Sequence, residues 1–385
     1  MEKIYLNKIC QSYRTGSELD NYSFEKDQEY EFIISEDTEV DVGYELLKYA
    51  KEKGFKVKTL SYQGAEYIGK ESNPYFCLAT VNPDTTTLKV HPDTRFISRR
   101  AAYRHKNVRD VEFSSSNLHI DHEAFYSAGD LRKVFFKNAE HISFGVEVFQ
   151  YTAIRIVDFD PNASYEFAER TFANCPYLMC RIPENIDNNG RYTFEESGKL
   201  LFVPAKYNDI SMFYFKEDVE VYHEGNNTEL KITPKRYIRS EGDYGFNFHR
   251  SAGSFDYDVS EEKEKYSTNG KSNQTYDDFL KRRDELMKTS MALSEFKNYL
   301  YPHGHKLIRN YRTTERWDDN SNCYINVEIT YYYTGMYDDN WNDYLAAIEE
   351  TKKMINYAIE RANQYYETTC LHLENITEHN EYTTR

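Results

Sequence analysis

The sequence predicts a protein of mixed α/β and β class. A short repeat solenoid occupies the middle, an α/β cap precedes it, and an α–β–β–α domain follows. Three observations carry this reading. First, a six-residue pattern recurs four times: VRDVEF at 108–113, LRKVFF at 131–136, IRIVDF at 154–159 and YLMCRI at 177–182, so that positions 113, 136, 159 and 182 lie 23 apart. A fixed period in the twenties marks a solenoid whose turns bury apolar residues only by stacking on neighbours. Second, residues 1–84 lack the period and read as strand, helix, strand. Third, residues 274–385 read as a long helix, two alternating strands, a second long helix and a frayed tail. The chain of 385 residues is long enough for several such units.

In chain order, YEFIIS at 30–35 is a strand candidate. Residues 42–53 place Val42, Leu46, Leu47 and Ala50 on one helical face, and Gly54 stops that helix. FKVKTL at 55–60 alternates as a second strand. This β–α–β segment is expected to shield the open end of the solenoid, since unpaired terminal edges must be blunted.

The strand at 88–90 seeds the first turn, because Val90 lies 23 before Phe113. Residues two apart on a strand share a face. Val111/Phe113, Val134/Phe136 and Val157/Phe159 therefore point inward. Asp110 and Glu112, Lys133 and Phe135, Ile156 and Asp158, and Met179 and Arg181 point outward and line up in columns on one sheet. Apolar Phe135 and Ile156 among charges suit a face that contacts a protein or glycan; burial under flanking chain is the alternative. Before each strand comes a pair expected to be equivalent in every turn: Ala102-Tyr103, Ala124-Phe125, Val148-Phe149 and Thr171-Phe172. A second wall is expected from Phe96/Ser98, Leu118/Ile120, Ile142/Phe144 and Tyr165/Phe167.

These units resemble BspA-type leucine-rich repeats. That family writes an Ile-Gly-x-x-Ala-Phe-x-x-Cys-x-x-Leu-x-x-Ile-x-Ile-Pro cycle. Gly145 keeps its glycine, Asn174-Cys175 its cysteine and Ile182-Pro183 its closing proline. The segment from Gly198 to Tyr207, followed by DVEVY at 218–222, resembles the family's closing strands. The resemblance covers about 85–224 and implies a curved solenoid used for adhesion or protein binding, with no catalytic residues to carry over. Family members are mostly exported, whereas MEKIYLNK at the start has no apolar leader core.

Residues 225–273 read as an irregular linker, with an aromatic, glycine-rich stretch at 242–253 and a charged, polar run at 261–273. After it, Thr275 caps a helix that runs to Tyr299 before Pro302 stops it. Strands at 306–314 and 323–333 flank a turn at 318–322. The last helix spans about 340–367, with Leu345, Ile348, Ile355 and Ile359 at helical spacing. A ribbon of two strands keeps open edges, so homo-oligomerisation through this domain is an expected outcome.

A formal net charge of −16 argues against general nucleic-acid or anionic-membrane affinity. A basic stretch, Arg95, Arg99, Arg100, Arg104, His105, Lys106 and Arg109, reads as a solvated first turn, with polyanion binding as the lesser alternative. Six scattered cysteines (10, 77, 175, 180, 323, 370) with no CxxC read as buried free thiols rather than disulfides or a zinc site. Catalytic constellations are weak. His303/His305, Asp318-Asp319 and Asp338-Asp339 fall in turns, and His119, Asp121 and His122 cluster on a turn's outer side. Nucleotide, hydrolase and metalloprotease fingerprints are missing. The expectation is a non-enzymatic binding or assembly protein without cofactor, in the cytoplasm or in a virion, with a protein or glycan partner. The alternatives are a structural component of a phage head or tail held by its C-terminal domain, and a metal-dependent enzyme.

Overall fold

The computed structural model describes residues 3–6, 18–38, 41–216, 219–225, 230, 236–237, 262–263, 270–272, 274–303, 308–318, 322–333 and 341–382. The chain forms two compact units, Met1–Tyr276 and Asp277–Arg385. In the first, β1 (Lys3–Leu6), β2 (Glu29–Ile34) and β3 (Lys56–Lys58) make a small parallel sheet, and α1 (Gly43–Lys53) connects β2 to β3. The helix ends where Gly54 takes φ 82°, a left-handed conformation open to glycine, and its N–H returns to the Ala50 carbonyl at 2.8 Å.

Two eight-stranded sheets form the coil. The first contains β4 (Leu60–Tyr62), β5 (Ala65–Ile68), β6 (Cys77–Val81), β8 (Phe96–Ile97), β10 (Asn117–Ile120), β12 (His141–Phe144), β14 (Ser164–Glu166) and β16 (Asn185–Asn188). The second contains β7 (Thr87–Lys89), β9 (Asp110–Phe113), β11 (Lys133–Phe136), β13 (Ile156–Asp158), β15 (Met179–Arg181), β17 (Leu200–Val203), β18 (Glu220–His223) and β21 (Gly270–Ser272). From β6 to β17 the chain alternates between the sheets, and like strands of successive turns pair in parallel. A short antiparallel pair joins β19 (Arg236–Tyr237) to β20 (Glu262–Lys263).

Sequence reading sets the α/β cap over the open end of the coil. Instead, α1 packs on the outward side of β6, where Leu46 and Ala50 share a core with Cys77 and Ala79. The end of the first sheet is closed by the antiparallel strands β4 and β5. A helix needs an apolar surface to cover, and β6 supplies one with its outward residues.

Inside the coil, Val111, Val134, Val157, Cys180, Leu201 and Val221 are Cα partners from turn to turn and are all buried. Beside them the rings of Phe113, Phe136 and Phe159 stack in one file, with centroids 5.1 and 5.6 Å apart. A second file runs Phe125, Phe149, Phe172, Phe194 and Phe215 at 4.8–5.3 Å. Parallel strands repeat every ~4.8 Å, close to the spacing of stacked rings. Phenylalanine recurring at one position of successive turns therefore packs the interior along the coil.

Each of the five arcs leading from β8, β10, β12, β14 and β16 to the second sheet is bracketed by two left-handed non-glycine residues. Arg100 and Arg104, Glu123 and Ser127, Glu147 and Tyr151, Arg170 and Asn174, and Tyr192 and Glu196 take φ of 53–61°. Such residues cost of order 1 kcal/mol each, and hydrogen bonds between arcs offset that cost, as from Phe125 N–H to the Val148 carbonyl at 2.9 Å.

Two registers differ from expectation by one residue. The Ala102 N–H bonds to the Ala124 carbonyl, just as that of Phe125 bonds to Val148, so Ala102 occupies the phenylalanine position. Tyr103 lies outside, stacked on Tyr126 at 5.4 Å. In β8, Ile97 pairs with Ile120 and faces the core, while Phe96 pairs with outward His119. In both places the expectation followed an aromatic side chain, whereas spacing sets the register.

Helix α2 (Tyr276–His303) starts on the last residue of the first unit and otherwise belongs to the second, where β22 (Ile308–Trp317), β23 (Cys323–Tyr333), α3 (Trp341–Tyr365) and β24 (Leu371–Tyr382) follow it. Helix α2 carries Pro302 within its last turn instead of ending before it. The segment expected to fray is the third strand, parallel to β23 along its whole length. Its pairing covers one edge of the ribbon, so the unit is α–β–β–α–β. Ile325, Val327, Ile329 and Tyr331 of β23 meet Phe296 and Leu300 of α2 and Ile348, Ile355 and Ile359 of α3. Leu345, expected in that stripe, is 44% exposed.

Candidate binding surface

The outward face of the second sheet is built by register. Asp110, Lys133, Ile156, Met179 and Leu200 form one column, and Glu112, Phe135, Asp158 and the pair Arg181–Phe202 form the next. Asp110, Glu112, Lys133, Phe135, Asp158 and Arg181 are partly exposed. Phe135 stands among charges: Lys137 is 5.8 Å from its ring and bonds Glu112 at 2.7 Å, which holds the Glu112 carboxyl below the usual range.

Ile156 and Met179 do not lie open on this face. They are 7% and 2% exposed, and Leu200, Phe202 and Tyr222 beyond them are buried too. Tyr276 packs edge-on against Phe202 at 5.2 Å, and the Arg181 guanidinium lies over both rings at 5.2 and 5.3 Å. Arg181 also pairs with Glu184. The face is thus polar and accessible over β9 and β11 and apolar and covered from β15 onward. Strand alternation places a side chain on a side of the sheet but is blind to what lies above it.

In the basic stretch at 95–109, Arg99 and Arg100 lie 5.5 and 5.9 Å from the centre of the Tyr44 ring, and Arg100 and Arg104 lie 5.0 and 5.1 Å from that of Tyr103. Arg100 bonds Glu123 at 2.6 Å, Arg99 approaches the same carboxylate at 3.9 Å, and Arg95 donates to the Asn117 carbonyl. His105 Nδ1 accepts from the backbone of Asn107 and Val108.

Two polar clusters occur on the first sheet's outer side. His122 Nδ1 lies 2.6 Å from Asp121 Oδ1, and His119 Nε2 lies 3.7 Å from the same oxygen. Gly145 lets the next turn approach, since a Cβ there would sit 2.6 Å from the His122 backbone nitrogen. Deeper, the Asp41 carboxylate accepts from Gly43 N, Ser98 Oγ, Arg99 N and the Cys77 thiol at 2.8–3.3 Å. Burial and the neighbouring Asp41 push the Cys77 thiol far up, which suits an anchor for α1 rather than a nucleophile.

Cys77, Cys175, Cys180 and Cys323 are buried free thiols, whereas Cys370 is only partly buried. Asp318 accepts from the Asn322 backbone within its turn at 2.8 Å. His305, Asp319, Asp338, Asp339 and Cys10 lie outside the described residues, as do 242–253 and most of 261–273. Among the described residues no group of three His, Cys, Asp or Glu side chains is placed to hold a metal, and no helix is long and apolar enough to cross a membrane.

Residues 81–217 match six copies of the BspA type leucine rich repeat region. A leucine-rich repeat protein from Bacteroides ovatus, known from its crystal structure, is similar at 14% identity with a TM-score of 0.29. That likeness covers 51% of this chain and 54% of the other, so the chain spans about half the length of the solved protein it matches. No curated protein matches.

Proposed function

Residues 81–217 of the chain are a BspA-type leucine-rich repeat region, and from that premise we propose a non-enzymatic binding protein that captures a protein or glycan on the outward face of β9, β11 and β13. One observation carries the reading: partly exposed Phe135 sits at the centre of in-register columns, flanked by Lys133, Glu112 and Asp158. An aromatic ring ringed by alternating charges supplies an anchor and a polar rim, the composition of binding hot spots. Repeat coils offer extended surfaces of this kind.

The test is a screen of the full chain on a glycan array and a panel of immobilised proteins, repeated with Phe135→Asp combined with Lys133→Glu. The reading expects a bound ligand whose capture drops at least tenfold in the variant while the melting temperature holds. Capture unaffected by the double substitution contradicts it. Ile156 is unsuited to this test because its substitution by Asp would bury a charge.

A further inference from the structure

We propose that Arg109, Arg132 and Arg155, stacked on successive turns beside Tyr177, form a site for a phosphoryl dianion, either free phosphate or a monoester. This inference goes beyond the sheet-face reading and does not depend on it. The three arginines are 23 apart, and each occupies the residue just before β9, β11 or β13. The backbone N–H of Arg132 bonds to the Arg109 carbonyl at 2.7 Å, and that of Arg155 to the Arg132 carbonyl at 2.8 Å, so the column keeps the turn pitch.

Counter-charge is scarce. Arg132 approaches Asp130 at 3.3 Å and donates to the Gly129 carbonyl at 2.9 Å. Among the described residues no carboxylate lies within ion-pair distance of Arg109 or Arg155. The Arg155 guanidinium sits 5.8 Å from the centre of the Tyr177 ring, and its Nε is buried without a hydrogen-bond partner. Burial, then the adjacent Arg132 charge, pulls Arg155 down to about 10, and burial likewise lowers Arg132, with Arg109 adding to it.

Three guanidiniums against one carboxylate leave two positive charges, which match a phosphate dianion of about −1.5 to −2. Guanidinium forks fit phosphate oxygens in pairs. A long polyanion is disfavoured, because Asp110, Glu112 and Asp158 crowd the adjoining columns with negative charge. Tyr177, 49% exposed, offers a flat face to the organic part of an ester.

Calorimetric titration of the full chain with inorganic phosphate and with phenyl phosphate, at constant ionic strength in chloride, tests the site. Saturable one-to-one binding is expected, weakened at least tenfold by Arg155→Met and severalfold by Arg109→Met, with Arg181→Met unchanged. Tighter binding of phenyl phosphate, lost in Tyr177→Ala, assigns the site to an ester; equal binding of the two probes assigns it to free phosphate. Absence of saturation with both probes overturns the proposal, and so does full affinity in Arg109→Met, which lies exposed and leaves the fold untouched should Arg155→Met fail to fold.

Discussion

The rings of Phe136 and Phe159, 23 residues apart, lie 5.6 Å from centre to centre and 1° from parallel. The relationship follows from the turn pitch, and it recurs with Phe113 on the other side of Phe136. Neighbouring Phe135 points the opposite way and is partly exposed. Phe136→Ala is expected to cost about 3–5 kcal/mol through the cavity it leaves in a stacked file. Phe135→Ala should cost less than about 1 kcal/mol. Urea denaturation of both variants checks the contrast, and equal losses would show that the two strand faces have been exchanged.

Asp41 ties the cap to the coil. It sits one residue before the Val42–Gly43 entry to α1 and accepts four donors, two of them, Ser98 Oγ and Arg99 N, from the loop after β8. Burial nevertheless pushes its carboxyl upward, so the carboxylate is held at a cost that those donors offset. Asp41→Ala leaves several donors unpaired and should destabilise the first unit by about 3 kcal/mol. Hydrogen exchange should accelerate in α1 more than in β11 or β13. Uniform acceleration across the unit would contradict an anchoring role.

Asp121 and His122 give the first unit a pH window. Burial acts to raise Asp121, but the nearby His119 imidazole and the hydrogen bonds from the His122 side chain and backbone outweigh it and hold the carboxyl far below its ordinary range. His122 is raised, first by its hydrogen bond to Asp121. Asp121 adds stability above the ordinary aspartate value of about 3.9, and the His122 share fades as pH climbs past about 6.5 through its raised value. The melting-temperature gap between the natural protein and His122→Gln should therefore be widest near about pH 5.5 and narrow as pH climbs past about 6.5. A gap independent of pH would rule the pair out as its source.

The buried thiols should resist alkylation. Burial pushes Cys175 up to about 11 and Cys180 higher still. A thiolate is the reactive form. Mass mapping after a short neutral treatment with iodoacetamide should find Cys77, Cys175, Cys180 and Cys323 unmodified, and all four labelled once the chain is denatured. Labelling of Cys180 in the native protein would mean that its column is not interior.

The coil was legible because its inward residues repeat with one period. Val111, Val134 and Val157 and their phenylalanine neighbours announce both the turn length and the buried side. The covered part of the outward face was not legible, since Ile156 and Met179 alternate like any solvent-facing pair and only Tyr276 and buried Phe202 reveal the change. Chemistry misled where it outvoted spacing, as at Tyr103 and Phe96. Strand β24 was missed because its residues 371–382 are mostly polar, and a strand paired along a single ribbon edge needs few apolar residues. The column of Arg109, Arg132 and Arg155 carries the same 23-residue period as the core.

The central claim is that successive turns stay in register and present one continuous face, and cross-linking tests it most directly. Glu112 and Phe135 are Cα partners on β9 and β11, a separation of about 4.8 Å for parallel neighbours. Glu112→Cys with Phe135→Cys should therefore form an intramolecular disulfide under mild oxidation, read as a loss of two hydrogen masses in the intact chain. Asp110→Cys with Phe135→Cys spans a diagonal of roughly 8 Å, too long for a disulfide without backbone movement, and should stay reduced. A diagonal pair that closes as readily as the partner pair, or a partner pair that never closes, would contradict the register and the surface built on it.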